Sequence, residues 1–219
     1  MNVKNNIEKF TQTLPAGCRL IAVSKTQLVE KIQEAYAAGQ RLFGENKAQE
    51  LTTKYEALPK DIEWHMIGHL QSNKVKYMAP FVHLIHSIDS LKLLMEIDKQ
   101  AKKVNRVLDC LLQIHIATED TKFGFSDSEV LETFQSDQFK SLKNIRITGL
   151  MGMATLTDNQ AQIRQEFKSL KVLFDKIKGM QLPSVEMKEL SMGMSSDYKI
   201  AVEEGSNMVR IGSLLFGRR

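Results

Sequence analysis

Strand-like and helix-like segments alternate along the whole chain, and this alternation limits the fold more than any other feature of the sequence. Short apolar runs are candidate strands, and segments with apolar residues at helical spacing separate them. The candidate strands are residues 18–23, 42–43, 62–67, 82–86, 107–114, 145–150, 185–190 and 207–211. Alternating strands and helices with short connections predict an α/β fold with a parallel sheet.

Eight such units favour a sheet that closes on itself. The sequence therefore predicts a single (β/α)8 barrel of the TIM type, preceded by a lead-in helix over residues 3–13. The 219 residues of the chain fit a barrel, which needs roughly 200 to 250 residues. An open, doubly wound sheet is the alternative. Because no linker or low-complexity tract interrupts the pattern, we expect one domain over residues 1–219.

Capping residues locate several of the predicted helices. Ser90 is placed to cap a helix that carries apolar residues from position 91 to 101. Ser126 and Glu129 have the spacing of a capping box, which predicts a helix start at that point. Apolar residues at helical spacing between Ile163 and Ile177 predict one long amphipathic helix.

Composition and charge exclude several classes of function. The net charge of +4 is small, and the basic residues are spread along the chain, so we do not expect nucleic-acid binding. The first residues lack the apolar run of a signal peptide, and no stretch is long and apolar enough to span a bilayer. We therefore expect a cytoplasmic protein that does not bind membranes. Since no long apolar interface stripe is evident, we also expect a monomer.

Small residues follow each of the last two candidate strands. The first set is Ser191, Met192 and Gly193, and the second is Gly212 and Ser213. Small residues allow backbone N–H groups to approach an anion closely. The loops after the seventh and eighth strands of a (β/α)8 barrel often form a phosphate site. This pattern predicts a phosphorylated, anionic ligand.

Two basic residues at strand ends are candidates for contact with that ligand. Lys25 follows the first candidate strand, where a neutral amine would attack a carbonyl and form a Schiff base. A surface lysine just beyond the strand is the other interpretation. Arg210 lies within the last strand and would donate hydrogen bonds to an unprotonated ring nitrogen. A structural ion pair is the alternative for Arg210.

The histidines do not predict a metal site. His65 and His69 have an i, i+4 spacing, and His83 and His86 form a second close pair. His65 and His69 straddle a strand end, so their spacing does not place them on one face of a helix. We therefore predict no metal ligands. The glycine-rich patterns of P-loop and Rossmann nucleotide sites are also absent from the sequence.

Seven motifs, in this order along nearly the whole chain, resemble those of the pyridoxal phosphate homeostasis protein family. This family is also called the proline synthetase co-transcribed family. The motifs are residues 22–26 (AVSKT), 43–46 (FGEN), 64–74 (WHMIGHLQSNK), 86–89 (HSID), 149–151 (GLM), 191–197 (SMGMSSD) and 209–212 (VRIG). Each motif alone is weakly specific, whereas the complete set is highly specific.

The resemblance implies a barrel related to the N-terminal domain of alanine racemases, with pyridoxal 5′-phosphate bound to Lys25 as an aldimine. It also implies that the turns after the last two strands hold the phosphate and that Arg210 faces the pyridine nitrogen. The implied cofactor-binding residues are Lys25, Asn46, Ser191, Met192, Gly193, Arg210, Gly212 and Ser213. Lys122 matches a lysine on a loop beside the site, where it would act in cofactor exchange.

The same resemblance bears on whether the protein is an enzyme. Pyridoxal phosphate enzymes use the ring as an electron sink, and Arg210 cannot accept a proton to help it. Alanine racemases use the lysine and also a tyrosine from an additional β-domain. Because the chain ends seven residues after Gly212, we expect no such domain, and the four tyrosines lie in helix-like segments.

We therefore expect a non-enzymatic protein that holds pyridoxal phosphate, maintains its intracellular level and releases it to apo-enzymes. Two alternatives remain open at this point. One is a weak amino-acid racemase or another pyridoxal-phosphate-dependent enzyme. The other is a barrel aldolase that uses Lys25 against a sugar phosphate.

Overall fold

The structure is a computed structural model, and it describes residues 2–118 and 123–217. Lys122, which the resemblance placed beside the site, lies outside the described residues. The strands are β1 (Arg19–Val23), β2 (Leu42–Glu45), β3 (Glu63–Met66), β4 (Leu84–Ile88), β5 (Leu108–Ile114), β6 (Ile145–Gly152), β7 (Val185–Ser191) and β8 (Met208–Ile211). The helices are α1 (Val3–Thr11), α2 (Val29–Ala37), α3 (Ala48–Ala57), α4 (Val75–Met78), α5 (Leu91–Lys103), α6 (Asp127–Gln135), α7 (Asp137–Ser141), α8 (Gln160–Gly179), α9 (Tyr198–Glu203) and α10 (Ser213–Phe216).

The eight strands form one closed parallel barrel in sequence order. The first and last strands close it, with Arg19 opposite Met208 and Ala22 opposite Ile211. This closure confirms the predicted (β/α)8 barrel and excludes the open, doubly wound sheet. All eight predicted strands are present, with small differences at their ends.

The capping signals mark true helix starts. The Ser90 hydroxyl accepts the Leu93 N–H over 3.3 Å at the start of α5. Both hydrogen bonds of the capping box between Ser126 and Glu129 are formed at the start of α6. The apolar face of the long predicted helix is buried in α8, including Ile163 and Ile177.

Two short helices, α7 and α10, do not follow from the sequence pattern. Each contains too few residues to show a helical period, so their apolar spacing carries no signal. Helix α10 begins directly after β8 and places Gly212 and Ser213 at its start. The lead-in helix α1 packs on it, and the Asn6 amide donates to the Leu215 carbonyl over 2.9 Å. Helix α10 is thereby held against α1.

Apolar residues fill part of the barrel interior. A small buried cluster combines side chains from strands on different sides of the barrel: Ile21, Leu84, Leu111, Met151 and Met208. Residues from β1, β4, β5, β6 and β8 meet in this way only across the interior. A larger cluster packs the outer faces of the strands against the helices. Within the described residues, no helix has the length and apolar character needed to cross a membrane.

Candidate functional site

A cavity of about 630 Å³ lies at the end of the barrel where the strands finish. Its wall includes Lys25 and Arg210, together with Asn46, Gly212 and Ser213. The structure therefore brings together five of the eight site residues predicted from the sequence. In a (β/α)8 barrel this face is the one that carries functional residues.

Lys25 is placed by the turn that follows β1. The preceding residue, Ser24, is buried and its hydroxyl donates to Glu45 Oε1 over 2.6 Å. The next residue, Thr26, has a left-handed φ of 63°, which is unusual for a branched residue. Its N–H donates to Glu50 Oε1 over 2.5 Å. Ser24 and Thr26 are thus anchored on either side of Lys25, which is half-buried in the cavity wall.

The carboxylates near Lys25 form ion pairs with a second lysine, Lys54. Lys54 Nζ lies 2.8 Å from Glu45 Oε1 and 2.7 Å from Glu50 Oε1, and it also donates to the Ser24 carbonyl over 2.7 Å. Burial raises the pKa of Glu45, and the positive charge and hydrogen bond of Lys54 oppose this effect. Among the described residues, none of the ion pairs involves Lys25. Its amine therefore faces the cavity without a carboxylate partner.

Arg210 is a buried cation in the cavity wall, with 4% of its surface exposed. Its Nη1 donates to the Ser191 carbonyl over 2.8 Å and to the Ser191 hydroxyl over 2.7 Å. Its Nη2 donates to the Gly152 carbonyl over 3.1 Å. Burial lowers the pKa of Arg210 to about 10, and the charge of Asp197 opposes this shift. The guanidinium is therefore charged at neutral pH.

The structural ion pair considered for Arg210 is not formed among the described residues, because its hydrogen bonds go to two carbonyls and a hydroxyl. Its Nε makes no hydrogen bond within the same part of the chain. Hydrogen bonds from Nη1 and Nη2 fix the guanidinium of Arg210. Its remaining N–H groups can donate to a ligand.

A chain of buried hydrogen bonds runs from Arg210 into the barrel. The Ser191 hydroxyl lies 2.9 Å from His86 Nδ1, and His86 Nε2 lies 2.8 Å from His65 Nδ1. Arg210 can only donate, so the Ser191 oxygen accepts from it, and the tautomer of His86 sets the direction of the Ser191–His86 hydrogen bond. Burial lowers the pKa of both His65 and His86 well below the usual value, so both rings are neutral.

After β7, the residues that line the cavity come later in the chain than the predicted residues Ser191, Met192 and Gly193. Ser191 and Met192 are fully buried behind the cavity wall. The wall is instead formed at this point by Met194, Ser195 and Ser196. A strand followed by small residues is present here, as predicted, but the small residues are spread from Ser191 to Ser196. The sequence pattern alone therefore did not show which of the small residues face the cavity.

Gly193 supports this turn from behind. Its φ is +96°, a conformation that side chains rarely adopt, and a Cβ atom would lie 2.6 Å from the Ala201 Cβ. Asp197 holds the other side, since its Oδ1 accepts the Met194 N–H over 2.6 Å. The close approach of Gly193 to α9 and the hydrogen bond of Asp197 fix the backbone that presents Ser195 and Ser196.

The second predicted turn lies where the sequence placed it. Gly212 and Ser213 line the cavity at the start of α10. A Cβ atom at Gly212 would lie 3.3 Å from the Val23 carbonyl oxygen, so β1 and β8 approach closely here. Together with Ser195 and Ser196, this turn offers hydroxyl and backbone N–H donors on one side of the cavity.

Asn46 follows β2 and completes the wall near Lys25. It is fixed by the loop after β3, because a Cβ atom at Gly68 would lie 2.4 Å from the Asn46 carbonyl oxygen. Gln27, Ile67 and Met153 also line the cavity. These three were not identified from the sequence, because apolar and amide side chains on loops carry no distinctive pattern.

The geometry suits a ligand with several different groups. Lys25 supplies a nucleophilic amine, Arg210 a buried donor, and the serine turns a set of donors for an anion. Of the described residues that line the cavity, Lys25 and Arg210 are the charged ones, and none is Asp, Glu, His, Tyr or Cys. The cavity wall therefore provides one candidate base.

Comparison with known proteins identifies relatives over the whole chain. The family model for the N-terminal domain of alanine racemase matches residues 1–219. The pyridoxal phosphate homeostasis protein of Aquifex aeolicus is 43% identical over 230 aligned positions, which cover 100% of this chain and 99% of the relative. The corresponding protein of Schizosaccharomyces pombe is 39% identical over 91% of this chain and 84% of the relative.

Solved structures show the same barrel. PipY of Synechococcus elongatus is 35% identical and covers 98% of this chain and 100% of that one. The TM-score is 0.92 for PipY without pyridoxal phosphate and 0.89 for PipY with pyridoxal phosphate bound. An alanine racemase of Clostridium difficile is 15% identical with a TM-score of 0.82, and the match covers 100% of this chain and 60% of that one. That last likeness concerns the fold alone.

Proposed function

The chain belongs to the pyridoxal phosphate homeostasis protein family, within the larger family of alanine racemase N-terminal domains, and we propose that it binds and releases pyridoxal 5′-phosphate. In this proposal the protein limits the free reactive aldehyde in the cytoplasm and supplies the cofactor to apo-enzymes. It acts as a monomer with one binding domain over residues 1–219.

The observation that carries the proposal is that Lys25 and Arg210 face the same cavity as two turns rich in hydroxyl and N–H donors. Pyridoxal phosphate has an aldehyde, a pyridine nitrogen and a phosphate, and each has a matching group in the wall. The cavity of about 630 Å³ lies within the usual range for small-molecule sites, about 300–1,000 Å³. The residues present therefore fit this cofactor.

Each residue has a defined task in the proposed site. The Lys25 amine would bind the aldehyde carbon with loss of water, and so anchor the ligand covalently but reversibly. Ser195, Ser196, Gly212 and Ser213 bind the phosphate, with hydroxyl and backbone donors. Asn46 lies on the Lys25 side of the ring. Ser191, Met192 and Gly193 support the phosphate turn from behind rather than contacting the ligand.

Arg210 would donate to the pyridine nitrogen, which would then remain unprotonated. When bound, the cofactor supplies an electron-withdrawing ring to substrates joined to its aldehyde. A guanidinium cannot be the acid that fully protonates this ring, because its pKa of about 10 lies far above that of pyridine. Arg210 therefore binds the ring without strengthening it as an electron sink.

The shortage of bases in the cavity favours a carrier over a racemase. Racemisation requires proton removal on one face of the substrate and proton delivery on the other. Lys25 is the single candidate base among the described residues of the wall. The described tyrosines lie on helices α2, α3, α4 and α9, and none lines the cavity.

The proposal is tested by the absorbance spectrum of the purified protein loaded with pyridoxal phosphate. We expect a visible band that disappears after borohydride reduction, followed by mass mapping of the modification to Lys25. Incubation with L-alanine in heavy water separates a carrier from an enzyme. Rapid exchange of the α-proton would overturn the carrier function while leaving the cofactor assignment intact.

A further inference from the structure

Three side chains at the end of the barrel opposite the cavity form a cluster with the chemistry of a transition-metal site. They are Glu63 and His65 on β3 and His83 just before β4. One nitrogen of each imidazole and one carboxylate oxygen all lie within 4.8 Å of one another. From this cluster we infer a binding site for a divalent cation of the zinc type. The inference does not depend on the proposed function.

The ligand set is characteristic of zinc. Two histidines and one glutamate, with water in the fourth position, form a common open zinc site in proteins. Imidazole and carboxylate ligands also suit cobalt and nickel, so the site selects this class rather than calcium or magnesium. The sequence spacing pairs His65 with His69 and His83 with His86. The fold instead brings His65 to His83, whose ring centroids lie 5.5 Å apart.

One ligand distance agrees with a tetrahedral site, and His65 is close enough for the exposed ligands to move to it, since the three ligand atoms lie within 4.8 Å of one another. Bonds of about 2.1 Å to a tetrahedral ion place two ligand atoms about 3.4 Å apart. His83 Nε2 lies 3.4 Å from Glu63 Oε2. The side chains of His83 and Glu63 are 48% and 40% exposed, so both are free to adjust towards His65.

His65 provides an independent indication of a ligand. It is fully buried, and its Nε2 has no hydrogen-bond partner among the described residues. A buried polar atom without a partner destabilises the fold. Since Nδ1 is engaged with His86 over 2.8 Å, Nε2 is the nitrogen that remains for a metal ion. Coordination would satisfy this atom.

His86 supplies the outer contact that metal-binding histidines usually have. A metal at His65 Nε2 requires the proton on Nδ1, which then donates to His86 Nε2. His86 in turn donates from Nδ1 to the Ser191 hydroxyl. The cation would therefore fix the direction of the hydrogen bonds between His65, His86 and Ser191. This link connects the two ends of the barrel.

The surroundings leave room for the cation and for water. A cavity of about 70 Å³ borders His83 but not Glu63 or His65, and it exceeds the roughly 10–15 Å³ that a site for one water needs. Burial chiefly lowers the pKa of His65, with further contributions from His83 and Arg19. Arg19, Arg146 and Lys188 line this cavity and oppose a cation there. Glu189 forms an ion pair with Arg19 and reduces that repulsion.

The test is a calorimetric titration of the full-length protein, freed of metal with a chelator, with Zn²⁺ and separately with Co²⁺. We expect one ion per chain at this site. His83→Ala and Glu63→Gln should each weaken binding at least tenfold, and both positions are partly exposed, so folding should be retained. His69→Ala is the matched control, because His69 is 51% exposed and pairs with Asp89 instead.

Three results would overturn the site. One is a wild-type protein without saturable binding of either ion. Another is a His83→Ala variant that binds as tightly as wild type. Loss of binding in His69→Ala alone would assign the metal to a different place and would equally contradict the inference.

Discussion

The Arg210 guanidinium donates to the Ser191 hydroxyl over 2.7 Å and to the Ser191 carbonyl over 2.8 Å. One residue of β7 thus fixes the buried cation of β8 from two directions. Because both contacts use Nη1, they set the angle at which the remaining guanidinium N–H groups face the cavity. Binding of the ligand ring therefore depends on a residue that does not itself line the cavity.

The first prediction concerns Arg210→Met, which removes the donor that we place at the ring nitrogen. Loss of a hydrogen bond to a charged donor costs about 1.5–3 kcal/mol, so we expect the affinity for pyridoxal phosphate to fall about 10- to 100-fold. Affinity for inorganic phosphate should change little, because the serine turns are intact. Calorimetry with both ligands measures the two effects. Equal losses for the two ligands would show that Arg210 acts on the phosphate.

Ser191→Ala is the companion variant, and its expected effect is smaller. The Ser191 carbonyl and the Gly152 carbonyl still accept from Arg210. Affinity for pyridoxal phosphate should therefore fall only a few-fold, in the same calorimetric experiment. A loss as large as that of Arg210→Met would mean that the hydroxyl contacts the ligand directly.

The second prediction concerns Lys25→Ala, which removes the proposed covalent anchor. We expect the visible absorbance band to disappear and borohydride to leave no modification at position 25, while phosphate affinity is largely retained. Lys47→Ala is the control, since Lys47 is exposed at the start of α3. A variant that lacks Lys25 and keeps the band would assign the bond to another lysine.

The third prediction concerns Asp197, which orders the turn that carries Ser195 and Ser196. Its Oδ1 accepts the Met194 N–H over 2.6 Å. Asp197→Ala should weaken inorganic phosphate binding several-fold because the turn loses this contact. Asp197→Asn retains an acceptor oxygen and should restore most of the affinity. If both variants bind phosphate as wild type does, the turn does not need the contact.

Much of the fold was predictable because its signals are local and repeated. The strands are apolar runs, and the capping residues Ser90 and Ser126 mark helix starts within a few residues. Barrel closure was inferred from the number of units. Helices α7 and α10 were not predicted because their five and four residues are too few to show a period.

Site residues could be predicted only where their position relative to the end of a strand determines whether they reach the cavity. Gly212 follows β8 directly and Lys25 lies two residues beyond β1, so both reach the cavity. Ser195 and Ser196 depend on how a loop bends after β7, and no sequence period describes such a bend. The contact of His65 with His86 joins two strands, so it depends on register, which single-sequence patterns do not specify.

The fourth prediction concerns Lys54, which is buried between Glu45 and Glu50. Lys54→Met leaves Glu45 buried without its counter-charge, and breaking a buried pair costs about 3–5 kcal/mol. We expect the urea midpoint of unfolding at pH 7 to fall accordingly. Lys178→Met, at an exposed position of α8, should have little effect.

The loss in Lys54→Met should also depend on pH. The pKa of Glu45 is already raised by burial, and removal of Lys54 raises it further. Above about pH 4.5 the unfolded chain has released this proton while the folded variant keeps it. The free energy of unfolding therefore falls as pH rises, by about 1.4 kcal/mol per unit, up to the folded pKa. A variant with the same deficit at pH 5 and pH 8 would contradict this explanation.

The fifth prediction compares two glycines with opposite surroundings. Gly149 on β6 lies opposite Glu189 on β7, and a Cβ atom there would lie 1.8 Å from the Glu189 carbonyl oxygen. Because the obstacle is backbone, no side-chain rotation relieves it, and Gly149→Ala should separate β6 from β7. We expect a loss above about 4 kcal/mol, which is exceptional for a single substitution.

Gly179 is the last residue of α8, and a Cβ atom added there would meet no neighbouring element within 4 Å. Its φ is not left-handed either. Gly179→Ala should therefore stabilise the protein by up to about 1 kcal/mol, because alanine loses less backbone entropy in a helix. Urea unfolding followed by circular dichroism measures both variants. If Gly149→Ala unfolds at the wild-type midpoint, β6 and β7 are not packed as closely as the structure shows. The phosphate turn after β7 would then lack the support that its geometry requires.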